Sequence, residues 1–119
     1  MTIESYRDLD AWQVGMAFAE RVYQLTAHFP QGERFGLTSQ VRRAATGIPS
    51  NISEGHQQTR RAYAHYIRLA LGCQAEAQTQ LELASRLGFA DSNAIAAVME
   101  QGDRLGRILH GLSRSLNRE

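Results

Sequence analysis

Arg61, His65 and Arg68 stand at i, i+4 and i+7 in this 119-residue chain. On a helix that spacing puts all three side chains on one face. Arg60 flanks them, and Arg42 and Arg43 lie on the preceding segment. If the two segments pack antiparallel, these six residues can share one basic surface. Guanidinium groups neutralise phosphates and offer them paired N–H donors. Tyr63 or Tyr66, if exposed, could stack on an unpaired base. The structural alternative pairs Arg43 with Glu54 or Glu76 and leaves the other groups as a solvated helix face.

A second chemistry would use some of the same side chains. A histidine separated from a preceding arginine by four to six residues can move a proton while the arginine stabilises phosphate charge. Arg60-x4-His65 and Arg104-x5-His110 both have this spacing, and two occurrences in so short and arginine-rich a chain show how readily it arises by chance. A di-metal helical bundle needs Glu-x-x-His pairs facing inward, and the sequence has none. His28, His56, His65 and His110 fall in different segments and none pairs at i,i+4. Cys73 lies on an apolar stripe and reads as a small core residue. No catalytic residue, metal or cofactor is expected.

Gln40, Asn51, Glu54, Glu76, Thr79 and Gln80 are polar groups within or beside apolar stripes. Burying them without partners would be costly. Gln40, Asn51, Glu54, Glu76 and Gln80 are therefore expected to form a structural polar network around Pro49.

Four helices must position these groups. Residues 8–28 read as the first. One stripe is Leu9, Trp12, Met16, Ala19 and Tyr23; a second is Ala11, Gly15, Phe18, Val22 and Leu25. A monomeric bundle needs one stripe per helix, so the second is expected to face another copy of the chain. A broad buried face within one subunit is the alternative. Pro30, Gly32 and Gly36 mark the first connection. Residues 37–57 carry Leu37, Val41, Ala44, Ile48 and Ile52 on one stripe, with Gly47 and Pro49 inside it. A helix bent near Pro49 follows. Residues 60–87 repeat Tyr63, Tyr66, Ala70, Cys73, Ala77, Gln80, Ala84 and Leu87, and Gly88 suits a C-terminal cap. Residues 92–116 follow Asp91 as N-cap. Their seam is Ile95, Val98, Gly102, Leu105, Leu109, Leu112 and Leu116. Asp103–Arg107 and Glu100–Arg104 are candidate i,i+4 pairs on the solvent side. No strand-like alternation occurs. The expected fold is all-α: an up-and-down antiparallel four-helix bundle, one domain over residues 1–119.

Apolar residues make up 43% of the chain, and no run is long enough to span a membrane. The first eight residues are polar and acidic, so no signal peptide is expected. The lone Cys73 cannot form an internal disulfide, and a cytoplasmic protein is the expectation. The net charge of +1 is unevenly laid out: −2 over residues 1–36, +4 over 37–72 and −1 over 73–119. All thirteen cations are arginine, for which a coding bias toward GC-rich codons is the plain explanation. A pI of about 8.0 is low for a dedicated nucleic-acid binder.

The stretch Leu37-Thr38-Ser39-Gln40-Val41-Arg42-Arg43-Ala44-Ala45-Thr46-Gly47-Ile48-Pro49-Ser50-Asn51-Ile52-Ser53-Glu54-Gly55 is the most distinctive in the chain. Leu9-x-x-Trp12, Tyr66-Ile67, Ala70-x-Gly72 and Glu76-x-x-Thr79-Gln80-Leu81-Glu82-Leu83-Ala84 accompany it. In this order they resemble the bacterial four-helix-bundle family first met as proteins encoded inside 23S rRNA intervening sequences. The resemblance covers most of the chain. It implies a homo-oligomeric ring, a pentamer as in relatives of known structure, and no settled activity. Relatives include the accessory protein of diversity-generating retroelements, which joins a reverse transcriptase and nucleic acid. By that analogy the expected function is a non-enzymatic scaffold that binds RNA or a nucleic-acid enzyme. The alternatives are a protein-interaction module that binds no nucleic acid, and a metal-independent RNase.

Overall fold

Apolar residues three and four apart can leave water together only as the inner face of a helix. In a computed structural model, which describes residues 3–118, this produces four helices. They are α1 (Asp10–Thr26), α2 (Leu37–His56), α3 (Arg60–Arg86) and α4 (Ser92–Leu116). The described residues contain no strand. Short connections make sequential helices antiparallel. α1 and α3 each pack on α2 and α4 and occupy opposite corners of a bundle 46 × 24 × 21 Å in extent.

Local chemistry sets the helix ends. Ser5 and Asp8 form a capping box around a separate 3-10 turn, Tyr6–Asp8. The Arg7 N–H donates to Ser5 Oγ at 3.2 Å and the Ser5 N–H to Asp8 Oδ2 at 3.1 Å. Leu9 is then extended, so α1 starts at Asp10 rather than residue 8. Glu33 Oε1 accepts from the Leu37 N–H at 3.0 Å and steadies the start of α2. Thr59 and Asp91 cap α3 and α4 through the Ala62 and Ala94 N–H groups. Gly88 takes φ 71°, the left-handed conformation that ends a helix without Cβ strain. Phe29 and Phe89 close this end of the bundle edge to face, 5.8 Å between centroids.

The core corrects one expectation. Ala11, Phe18, Val22 and Leu25 are buried inside the subunit, and Gly15 is buried beside them. This stripe is the inner face of α1 and is covered by the chain's own helices, so it is not available to another copy. The other stripe is the half-open one: Leu9 and Trp12 are half-buried, and Met16 and Tyr23 are exposed. The inner face of α3 is likewise rotated, centred on Ala64, Ile67, Ala70, Ala77, Leu81 and Ala84. Leu87, expected in the stripe, is exposed.

α2 runs through Pro49 without a break. Proline removes one i→i−4 hydrogen bond, and packing holds the helix there. The Pro49 ring is buried against Gly15, where an added Cβ would lie 3.7 Å from ring carbons. On the opposite side α2 comes close to α3. A Cβ on Gly47 would fall 2.8 Å from Cys73 Sγ, and one on Gly55 would fall 2.5 Å from Tyr66 Cβ. The α3–α4 contact is set by two glutamines a turn apart. Gln74 Nε2 donates to the Gly102 carbonyl at 3.1 Å and Gln78 Nε2 to the Met99 carbonyl at 3.0 Å. Gly102 and Gly106 leave the room these side chains occupy.

Candidate nucleic-acid interface

The six basic residues singled out in the sequence do not share one surface. Gln40 lies opposite Gln80, Gly47 opposite Cys73 and Gly55 opposite Tyr66. This register sets Arg43 level with Ala77. At 1.5 Å per residue it is about 13 Å along the bundle from Arg68 and about 24 Å from Arg61. Arg42 is turned to another task. Its Nε donates to Thr26 Oγ1 at 2.8 Å and its Nη2 to the Tyr23 carbonyl at 3.4 Å. Its guanidinium carbon sits 4.4 Å from the Tyr23 ring centroid. Arg42 thus ties the end of α1 to α2, through hydrogen bonds and a stacked cation.

Arg43 is exposed and pairs with neither Glu54 nor Glu76, which are both exposed. Among the described residues the ion pair present is Arg86–Glu82, at 3.5 Å and well exposed, so it contributes little. The expected Asp103–Arg107 and Glu100–Arg104 pairs do not form. Asp103 Oδ1 accepts instead from Gln78 Nε2 at 2.7 Å.

Arg60, Arg61 and Arg68 do come together. With Ala64, Leu116, Asn117 and Arg118 they line an open cleft of about 480 Å³ between the first turns of α3 and the end of α4. Among the described residues no carboxylate lines it. Arg60 Nη2 donates to the Ser115 carbonyl at 2.7 Å and the Arg118 carbonyl at 3.4 Å. The Ser115 carbonyl also receives a long contact from the Arg118 N–H, at 3.4 Å, and Arg60 ties the end of α4 to the start of α3. Among the described residues the guanidinium groups of Arg61, Arg68 and Arg118 have no hydrogen-bond or ion-pair partner. Such an array can bind phosphate oxygens without first giving up an internal partner.

His65 does not line the cleft; it is exposed, with its ring edge-on to Tyr66 at 5.9 Å. No hydrogen bond joins Arg60 to His65 or Arg104 to His110. Tyr63 is half-buried and its hydroxyl is enclosed without a partner. Burial pushes that phenol's pKa up. Tyr66 is half-buried against Gly55. Neither ring offers a free stacking face. Arg118 escaped the sequence reading because helical spacing relates near neighbours only. Nothing in that spacing says that the end of α4 returns to the start of α3.

The expected polar network is broken into separate contacts. Gln80 Nε2 meets Gln40 Oε1 at 3.5 Å. Asn51 Nδ2 donates to the Gly47 carbonyl at 2.8 Å and to Cys73 Sγ at 3.8 Å. Glu54 and Glu76 face solvent because α2 and α3 pack too closely at glycine to admit a carboxylate between them. The Cys73 thiol is pushed up by burial and by the Glu76 charge, against a smaller lowering from Asn51. It is held protonated, which disfavours attack by sulfur. Among the described residues no three His, Cys, Asp or Glu side chains gather as a metal site, and no helix is long and apolar enough to cross a membrane.

Residues 7–111 match the model of a family described as 23S rRNA-intervening sequence protein. The fold is similar to a crystal structure from Bacteroides thetaiotaomicron, a protein of unknown function from the S23 ribosomal protein family. The TM-score is 0.77 at 22% identity, over 86% of this chain and 96% of that one. No curated protein matches the chain.

Proposed function

The chain belongs to the 23S rRNA-intervening sequence protein family, and we propose that it is a non-enzymatic scaffold that assembles with copies of itself and binds RNA. The observation that carries the RNA reading is the cleft in which Arg61, Arg68 and Arg118 stand beside Arg60 with no lining carboxylate among the described residues. Three guanidinium groups free to displace counterions correspond to a salt slope of about −2 to −3 per protomer. A ring would repeat the cleft and multiply the field.

Self-assembly rests on apolar surface left uncovered on two separate sides. Met16, Ala19, Tyr23 and Pro49 line a groove between α1 and α2. Leu69 and Leu83 stand exposed on α3, with Leu87 exposed just past its end, at the corner opposite α1. Two different patches favour a head-to-tail contact, and head-to-tail contacts that close make rings. Five copies is the number the family resemblance implies.

The test is mass by light scattering, followed on the same sample by binding to a labelled structured RNA at two salt concentrations. A ring whose affinity falls steeply with salt, and falls further in Arg61→Ala/Arg68→Ala, supports the reading. A ring that binds no RNA at low salt transfers the role to a protein partner on the same apolar surfaces. RNA cut during incubation, with cutting lost in His65→Ala or His110→Ala, would replace the scaffold with an enzyme.

A further inference from the structure

We infer that the arginine cleft is one end of a longer track along the outer face of α4, shaped for a continuous phosphodiester backbone rather than a single phosphate. This rests on the RNA reading above.

Residues 104–118 contain Arg104, Arg107, Arg114, Arg118 and His110, and no Asp or Glu. Residues 60–75 contain Arg60, Arg61, Arg68 and His65, and again no Asp or Glu. The bonds Gln74 to Gly102 and Arg60 to Ser115 place these two segments side by side. Residues 60–75 and 104–118 together therefore hold seven of the thirteen arginines and no Asp or Glu, with Glu76 and Asp103 just outside them. A net charge of +1 conceals this, because the acids lie outside these two segments.

The three α4 arginines stand at i, i+3 and i+10 from Arg104, on the side away from the buried Gly102, Leu105 and Leu109, and Arg118 follows two residues beyond the helix end. All four are exposed. Gly111 lies among them, and a Cβ there would sit 3.8 Å from Arg114 Nη2, so that guanidinium folds back along the stripe. None of these four guanidinium groups is bonded among the described residues, and Arg107 is left free because Asp103 turns to Gln78. At the far end Arg104 and Arg107 share a groove of about 400 Å³ with Arg21 of α1, where Glu100 is the one lining carboxylate.

From Arg104 to Leu116 the helix rises about 18 Å. At about 3.4 Å per phosphate of a stacked strand, the track spans about five phosphates. An acidic protein or a membrane surface would need apolar anchors amid the charge, and among the described residues α4 exposes no large apolar side chain. The ligand class that fits is an RNA backbone.

The experiment measures binding of the full chain to labelled RNA of about two, five and ten nucleotides, at about 50 and about 200 mM salt. Affinity is expected to climb steeply between two and five nucleotides. Arg107→Ala/Arg114→Ala should weaken binding at least about tenfold and reduce the salt slope by about 2. Arg107→Lys/Arg114→Lys should retain most of it. If the alanine pair binds like the parent while Arg61→Ala/Arg68→Ala loses binding, the track is wrong and the cleft stands. If the parent binds no RNA, both fall. If anionic lipid vesicles or an acidic polypeptide bind as tightly as RNA, the RNA assignment is overturned.

Discussion

Arg60, on the first turn of α3, donates from Nη2 to the carbonyl of Ser115, 2.7 Å away on the last turn of α4. It joins residues 55 apart in sequence and is the one arginine of the cleft committed to the fold. Arg60→Ala should cost about 1 kcal/mol, lowering the melting temperature by about 4 °C. Arg61→Ala, with no partner to lose, should stay within about 0.5 kcal/mol of the parent and weaken RNA binding alone. Thermal unfolding beside a binding titration separates the two.

Arg42 was grouped by sequence with the phosphate-binding arginines, and its contacts to Thr26 and Tyr23 place it in the fold. Arg42→Ala should destabilise by about 1–2 kcal/mol, through lost hydrogen bonds and the stacked cation. The slope of RNA affinity against salt should be unchanged. A slope that drops by about one would return Arg42 to the binding surface.

Two glycines give opposite expectations. A Cβ on Gly102 would collide with Gln78 Oε1 and lie 3.0 Å from Phe18 Cε1. Gln78 would then be forced off the Met99 carbonyl and Asp103, so Gly102→Ala should cost about 1–3 kcal/mol despite its better helix propensity. Gly72 is exposed in the middle of α3 with nothing within 4 Å of an added Cβ. Gly72→Ala should stabilise by about 0.5–1 kcal/mol. Chemical denaturation of both variants reads the signs directly.

The ring can be tested by complementation. Met16→Glu charges the α1–α2 groove and Leu83→Glu charges the α3 ridge, and each alone should give monomers by light scattering. Mixed in equal amounts, each variant keeps the face the other lacks, so one head-to-tail contact survives and the mixture should form a dimer. Full-size assemblies of either single variant would show that the contact lies elsewhere.

Stability should fall in the alkaline range. Cys73 and Tyr63 both have folded pKa values raised by burial, so the folded state keeps these protons longer than the unfolded state does. Their contribution is complete below the unfolded values and is lost as pH rises through the folded ones. Urea midpoints measured from neutral pH upward should decline first as the Cys73 thiol ionises, and Cys73→Ala should remove that first decline. A midpoint unchanged across the thiol range in the parent would contradict it.

Much of the architecture is legible in local spacing. Apolar residues at three and four, Asp91 before the last helix and Gly88 after the third mark elements whose causes lie within a turn or two of each residue. The arginine pairing at positions 61 and 68 is legible for the same reason, since both lie on one helix. The family resemblance was carried by the 37–55 stretch, whose glycines and proline make sense only as points of contact with α1 and α3.

Tertiary structure decided what local spacing leaves degenerate. Both stripes of α1 have helical period, and only the positions of α2 and α4 determine that Ala11, Phe18 and Val22 go inside while Met16 and Tyr23 stay open. Asp103 had two partners within reach, Arg107 on its own helix and Gln78 across the groove, and the register set at Gly102 and Gly106 chose Gln78. That choice left Arg107 free. Arg118 joined Arg60 and Arg61 because antiparallel packing returns the end of α4 to the start of α3. A helical period is a property of neighbours in sequence. The meeting of distant charges depends on the register between helices, which the close approaches at glycine set.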